Sequence, residues 1–203
     1  MNATVRYPLR DDPSLQRVRL PFVAVLDEVL TSAMCDELVQ RIEAESPTLA
    51  TINAYGGAVV DTRTRNNERV IFDDAPLAAE LFARTSDALP AVLEGGKLVG
   101  YNERFRGYRY RPGQRFGPHF DGAFARPMTS TGREMSLITV LFYLNAGFSG
   151  GETKLLDYDY VYTPKRGSVL FFAHATYHEG SEVTAGTKYV LRSDAMYWFE
   201  SEP

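Results

Sequence analysis

Apolar residues recur at helical spacing in two stretches, both in the first half of the chain. Thr31 or Ser32 can cap a helix whose Cys35, Leu38, Val39 and Ile42 fall on one stripe, and Pro47 marks its end. A second helix starts after Asp73 and Asp74; its Leu77, Leu81 and Leu89 suit a buried stripe, and Pro90 bends or ends it. Between the two, residues 53–67 hold Gly56, Gly57 and polar residues without a sustained period, which predicts a mobile loop that could act as a lid. From Glu103 onward the pattern changes to short apolar or aromatic runs, Leu137 to Leu144, Val169 to Phe172 and Tyr189 to Phe199. Turn clusters at Pro112-Gly113, 147–151 and 164–167 separate them. Short strands without alternating helices predict an antiparallel sandwich or barrel.

Composition narrows the class. At 203 residues, with no repeat or flexible linker, the chain suits one domain over 1–203: residues 1–100 as helical support and lid loop, residues 101–203 as a β core. Hydrophobic residues at 44% and charged residues at 24% are those of an ordinary soluble domain. No run approaches the roughly 18 apolar residues of a membrane span. The N-terminus reaches Asp11 and Asp12 without an apolar signal core, and Cys35 is the single cysteine, so a cytoplasmic protein is expected. A net charge of −4 argues against general affinity for nucleic acid. Nothing in the pattern sets the oligomeric state.

The candidate chemistry begins with the histidines, of which there are three: His119, His174 and His178. In a strand, side chains two apart share a face, so His119 and Asp121 can ligate one ion together. A second, distant histidine completes two imidazoles and one carboxylate, the facial set that leaves open positions on iron(II) in non-haem oxygenases. His-x-Asp alone is also met as a surface polar pair. His174-x-x-x-His178 offers a competing zinc site on a helical face, but it follows a strand-like run and lacks the glutamate of such motifs.

Order and context favour the first set. Tyr108-Arg-Tyr110-Arg-Pro-Gly-Gln-Arg-Phe-Gly-Pro-His119-Phe-Asp121-Gly resembles the first metal-ligand segment of prolyl 4-hydroxylase-type 2-oxoglutarate oxygenases. Leu141-Phe-Tyr-Leu-Asn145 with Gly150-Gly-Glu-Thr153, then Pro164 to Phe172, then His178-Glu-Gly180 and Gly186 to Asp194, are similar to that family's later segments in the same order. The resemblance implies a mainly β fold with flanking N-terminal helices, a double-stranded β-helix (jelly roll, cupin-like), with iron(II) held by His119, Asp121 and His178 at its mouth. It also implies 2-oxoglutarate and dioxygen as co-substrates, with ascorbate a candidate reductant. Asp121 favours hydroxylation, because related halogenases lack that carboxylate.

By the same resemblance Lys188, ten residues after His178, holds the distal carboxylate of 2-oxoglutarate. Arg192 on the same strand face is a second candidate, Tyr110 borders the co-substrate, and Phe142 stands where some relatives have a second tyrosine hydroxyl. Arg63, Arg65 and Arg69 in or beside the polar loop, with Asn102, Arg104 and Arg106 on one strand face, are candidates for binding an anionic substrate group. The substrate expected is a peptidyl-prolyl or protein residue, or a small amino-acid-like metabolite. The competing classes are a non-catalytic jelly-roll binding module and a zinc-dependent hydrolase.

Overall fold

The computed structural model describes residues 22–54 and 57–201. After β1 (Val23–Leu26), helix α1 (Ser32–Ala44) starts where Thr31 Oγ1 accepts the Met34 N–H at 3.2 Å. Cys35, Leu38 and Ile42 are buried along it, while Val39 is half-buried at the edge of the stripe. The strands β2 (Thr48–Leu49), β3 (Ile52–Ala54), β4 (Gly57–Val59) and β5 (Glu68–Asp73) follow.

Helix α2 (Ala75–Thr85) is capped by Asp74, whose carboxylate accepts the Leu77 N–H at 2.9 Å and an Arg41 N–H at 2.5 Å. It stops short of Pro90. Thr85 Oγ1 bonds the Leu81 carbonyl at 2.7 Å and the Tyr101 hydroxyl at 2.5 Å, and a 3-10 turn over Ser86–Ala88 takes over. Leu89 is therefore buried beyond the helix instead of on its stripe.

The β-rich remainder comprises β6 (Val92–Leu93), β7 (Gly96–Tyr101), β8 (Arg104–Tyr110), β9 (Phe116–His119), β10 (Gly132–Tyr143) and β11 (Ser149–Gly150). It continues with β12 (Thr153–Leu155), β13 (Tyr160–Tyr162), β14 (Val169–Ala173), β15 (His178–Gly180), β16 (Val183–Ala185) and β17 (Lys188–Glu200). The larger sheet runs β1-β14-β10-β17-β8-β5-β2, with β7 on the far half of β17; the smaller runs β13-β12-β15-β9. All described pairs are antiparallel, and the two sheets form the jelly roll expected from the sequence.

Alternation along each strand divides the apolar residues between two cores. Phe105, Val140, Phe142 and Phe171 pack toward the helices with Ile42 and Leu81. Leu141, Tyr143, Leu155, Leu170, Phe172 and Val190 fill the space between the sheets. Each large apolar side chain so buried contributes about 1.5–3 kcal/mol. Gly107 lets α1 lie on β8, since a Cβ there would sit 2.6 Å from Ile42 Cγ1.

The expected mobile loop is in large part structured. Residues 55 and 56 lie outside the described residues, but β3 pairs with β4, and residues 61–67 are tied down. The Asp61 carboxylate accepts Thr64 Oγ1 and the Arg63 N–H, Asn66 Oδ1 accepts the Arg115 N–H at 2.7 Å, and Thr64 O accepts the Gly117 N–H at 2.7 Å. This half of the segment is a wall fixed to the strand that carries His119. Polarity looked like mobility in the sequence, whereas these polar side chains bond the turn itself, as Asp61 does, or the segment from Gly113 to Arg115, as Asn66 does.

Candidate metal centre and co-substrate pocket

His119 ends β9, His178 begins β15, and the two are direct cross-strand partners, which brings their rings to 4.2 Å between centroids. Asp121 follows two residues after His119, its N–H donated to the His174 carbonyl. His119 Nε2 lies 3.7 Å from Asp121 Oδ1, and His178 Nε2 lies 3.6 Å from Asp121 Oδ2. One donor atom from each residue falls within 4.8 Å of the others, and this is the one such three-residue group among the described residues.

Orientation of the rings follows from the backbone. His119 Nδ1 meets the Gly117 carbonyl at 2.8 Å and His178 Nδ1 meets the Thr176 carbonyl at 2.9 Å. A carbonyl only accepts, so each Nδ1 carries the hydrogen and each Nε2 presents its lone pair to the centre. Phe116 stacks on the His119 ring at 3.5 Å, which further fixes it.

The protonation states also suit a cation. Burial, helped by the neighbouring His178, pushes His119 down to about 3, and burial lowers His178 too, so both rings stay neutral. Burial alone would raise Asp121, but the Arg192 guanidinium and the two imidazoles hold it well below the usual carboxylate range. Two neutral imidazoles and an ionised carboxylate form the donor set of iron(II) oxygenases, with room for further ligands.

Asp121 is itself held. Arg192 Nη1 donates to Oδ1, and Thr139 Oγ1 donates to Oδ2 at 2.6 Å. Thr139 Oγ1 also faces His174 Nδ1 at 2.8 Å, and His174 Nε2 faces Ser136 Oγ at 2.9 Å. A chain of donors thus runs Ser136, His174, Thr139, Asp121. His174 stands behind the carboxylate, not beside the imidazoles, and its segment is a turn after β14 instead of a helix, so the alternative zinc pair does not form.

A cavity opens from this centre into the space between the sheets. Tyr108, Tyr110, Leu141, Tyr143, Thr153, Val190 and Lys188 line it together with His119, Asp121, His178 and Arg192. Lys188, 2% exposed, has its Nζ donating to the Gly151 carbonyl at 2.6 Å, 5.1 Å and 5.5 Å from the Tyr110 and Tyr143 ring centroids. No ion pair to it occurs among the described residues. Burial pushes its amine down to about 7. A buried cation without a carboxylate partner, lining the same mostly apolar cavity as a metal centre, fits a dicarboxylate that ligates metal at one end.

Gly151 belongs to the same arrangement. Its φ of 69° is left-handed, and a Cβ would approach Lys188 Cδ to 3.1 Å.

A pH dependence follows from Lys188. The cation is what attracts a carboxylate, so affinity for 2-oxoglutarate should fall as pH rises through about 7, by up to roughly tenfold per pH unit, and level off below. Lys188→Arg should flatten this dependence, because guanidinium stays charged. Calorimetric titration from about pH 6 to about pH 9 reads the difference; identical profiles in the two proteins would remove lysine as the source.

Phe142 does not face the cavity. It packs with Tyr101 on the helix side, 6.3 Å between centroids, and alternation puts Tyr143 into the pocket instead, with its hydroxyl 2.7 Å from Thr153 Oγ1. The second tyrosine hydroxyl is therefore present one position later. Sequence reasoning missed both Tyr143 and Thr153. The period-2 signal of β10 contained the first; the second lies on β12, whose proximity to β17 no local pattern reveals.

The candidate substrate residues separate into two groups. Arg63 is 93% exposed at its side chain and pairs with Asp61. Arg104 pairs with Asp73 at the surface, and Asn102 precedes β8, buried, with Oδ1 accepting the Arg104 N–H. These three do not reach the centre: the strand begins at Arg104, so Asn102 does not share its face. Arg65, Arg69 and Arg106 each neighbour a cavity-lining residue without lining the cavity themselves, and Arg69 lines a separate surface pocket with Thr51 and Ile71. Arg65 stacks over Phe116 at 3.9 Å and bonds Asn67 Oδ1. Arg69 is paired with Tyr108 and Arg106 with Arg192 across the sheet.

Comparison with known proteins agrees with this geometry. Residues 105–200 match the family described as the 2OG-Fe(II) oxygenase superfamily. A protein of Acanthamoeba polyphaga mimivirus, provisionally named a prolyl 4-hydroxylase, is 24% identical over 94% of this chain and 80% of its own length. The viral collagen prolyl hydroxylase of Paramecium bursaria Chlorella virus-1, solved with 2-oxoglutarate, superposes with a TM-score of 0.59 at 22% identity, over 86% of this chain and 96% of that one. A Trichoplax adhaerens prolyl hydroxylase, solved with a peptide of the hypoxia-inducible factor degradation domain, gives 0.60 at 17% identity, over 88% and 83%. With the His-Asp-His centre and Lys188 lining one cavity, and with residues 105–200 matching the 2OG-Fe(II) oxygenase superfamily, the chain is a prolyl 4-hydroxylase-like enzyme that uses iron(II) and 2-oxoglutarate.

Proposed function

We propose that the enzyme hydroxylates an unactivated C–H bond of a peptidyl-prolyl or other protein residue, or of a small amino-acid-like metabolite, and releases succinate and carbon dioxide. The observation that carries this reading is that Lys188 and the His119, Asp121 and His178 set line one cavity. Bound iron(II) and 2-oxoglutarate supply the oxidising power, one oxygen atom of dioxygen entering succinate and the other the product.

The chain's own residues hold and orient. His119, Asp121 and His178 would hold iron(II) through two imidazole nitrogens and one carboxylate oxygen. Lys188, with the neutral hydroxyls of Tyr110, Tyr143 and Thr153, receives the distal carboxylate of 2-oxoglutarate. Arg192 and Thr139 fix the Asp121 carboxylate so that its oxygens do not turn from the metal. Leu141, Val190 and Phe116 keep water from the cavity walls.

The test is incubation with iron(II), 2-oxoglutarate and air against prolyl peptides and free amino acids. A product heavier by one oxygen, formed in step with succinate, is expected. Succinate without any oxygenated product across the library, or hydrolysis supported by zinc alone, would reject the assignment.

A further inference from the structure

We infer that Arg69 and Arg106 form a subsite for a carboxylate on the substrate being hydroxylated, an inference that rests on the proposed hydroxylase reading. Direct cross-strand partners share a sheet face, so two rows continue outward from the cavity. One is Val190, Tyr108 and Arg69; the other is Arg192, Arg106 and Ile71. Val190, Tyr108 and Arg192 line the cavity, which places Arg69 and Arg106 one strand or two further out on the same face, as diagonal neighbours.

The charges there do not balance. Arg192 is taken by Asp121 and Asp194, and Arg106 Nη1 donates to Asp194 at 3.1 Å. Arg69 has Thr51 Oγ1 at 3.0 Å as its partner and no carboxylate among the described residues; Arg65 has the neutral Asn67. Four guanidinium groups thus share two carboxylates, in a protein whose net charge is −4. Asp121 is also committed to the metal. Ile71, 42% exposed beside Arg106, offers an apolar surface for the carbon skeleton next to the anion. A forked guanidinium that is half-buried and unneutralised binds a carboxylate well, because little water must be displaced and two parallel hydrogen bonds form. The carboxylate could be that of a free amino acid or an acidic side chain of a peptide.

Binding separates these sources without requiring turnover. Protein loaded with manganese(II) and an inert oxoglutarate analogue relaxes the protons of ligands bound near the metal. The probes are L-proline, L-leucine and L-glutamate, their carboxamides, and capped peptides with or without an internal glutamate. At least one acid should be relaxed in preference to its amide or neutral counterpart, free acids marking an amino-acid substrate and the glutamyl peptide a peptide substrate. Arg69→Gln should weaken that binding roughly tenfold to hundredfold, with Arg69→Lys intermediate. Retained binding of 2-oxoglutarate shows that the variants are folded. Arg106→Gln, which also removes one of the two guanidinium partners of Asp194, serves as a second probe. Equal binding of acids and neutral counterparts, or an unchanged preference in Arg69→Gln, would overturn the subsite. Absence of hydroxylation with this preference intact would instead reject the hydroxylase reading.

Discussion

Alanine at His119, Asp121 or His178 is expected to remove iron and bring turnover below detection, whereas His174→Ala keeps most of its turnover. Each of the first three supplies one of three protein ligands, and the pocket holds no substitute donor within reach of the centre. The His174 side chain reaches the Asp121 carboxylate by hydrogen bonds through Thr139, and its loss leaves the Thr139 and Ser136 hydroxyls one partner fewer, while the His174 carbonyl still accepts the Asp121 N–H. That costs stability, about 1–3 kcal/mol for a buried hydrogen-bonding group, more than it costs chemistry. Asp121→Ala does double damage, because Arg192 is left as a buried cation with one partner fewer. His178→Ala is therefore the cleaner test. Iron content, succinate release and thermal unfolding of the four variants decide it: an active His178→Ala beside an inactive, folded His174→Ala would reverse the ligand assignment.

Lys188→Ala is expected to raise the 2-oxoglutarate requirement by roughly 30-fold to a few thousand-fold, the cost of about 2–5 kcal/mol for a buried carboxylate losing its cation. Iron binding should persist, since the amine bonds the Gly151 carbonyl and is not one of the metal-binding group. Arg192→Ala should behave differently. Its guanidinium joins Asp121 to Asp194, so removing it leaves two buried carboxylates underpaired and lowers stability and metal retention together, by about 3–5 kcal/mol in stability. Titrating 2-oxoglutarate and iron against both variants separates the roles. A large co-substrate defect in a stable, iron-loaded Arg192→Ala, with Lys188→Ala unaffected, would move the anchor to Arg192.

Part of the site was legible early because its information is local: His119 and Asp121 stand two residues apart, although the strand ends at His119, and a period of two puts Lys188 and Arg192 on one face of β17. His178 joined the set through the order of the resembling segments, and cross-strand pairing brings it to His119. The same period, applied to 141–143, would have placed Tyr143 and not Phe142 in the pocket. Caps were legible for a similar reason: Thr31 and Asp74 each bond a backbone N–H three residues on.

The features that escaped are set by partners distant in sequence. Helix α2 ends at Thr85 because Tyr101 waits across the interface for its hydroxyl. The polar loop became a wall because Arg115 and Gly117 accept and donate at its backbone. Arg192 turned from a candidate anchor into the clasp of Asp121 because β17 runs beside β10, which carries Thr139 to the same carboxylate. Of six residues proposed for an anionic substrate, Arg69 and Arg106 stand across from cavity-lining Tyr108 and Arg192 and Arg65 lies over Phe116, because cross-strand register, not spacing along the chain, decides which residues adjoin the cavity. Sequence by itself determined which side chains share a face of their own strand, a consequence of backbone geometry. Which strands lie side by side, and so which faces close around one cavity, only the tertiary structure decided, because antiparallel pairing joins residues far apart in the chain through contacts that no local pattern encodes.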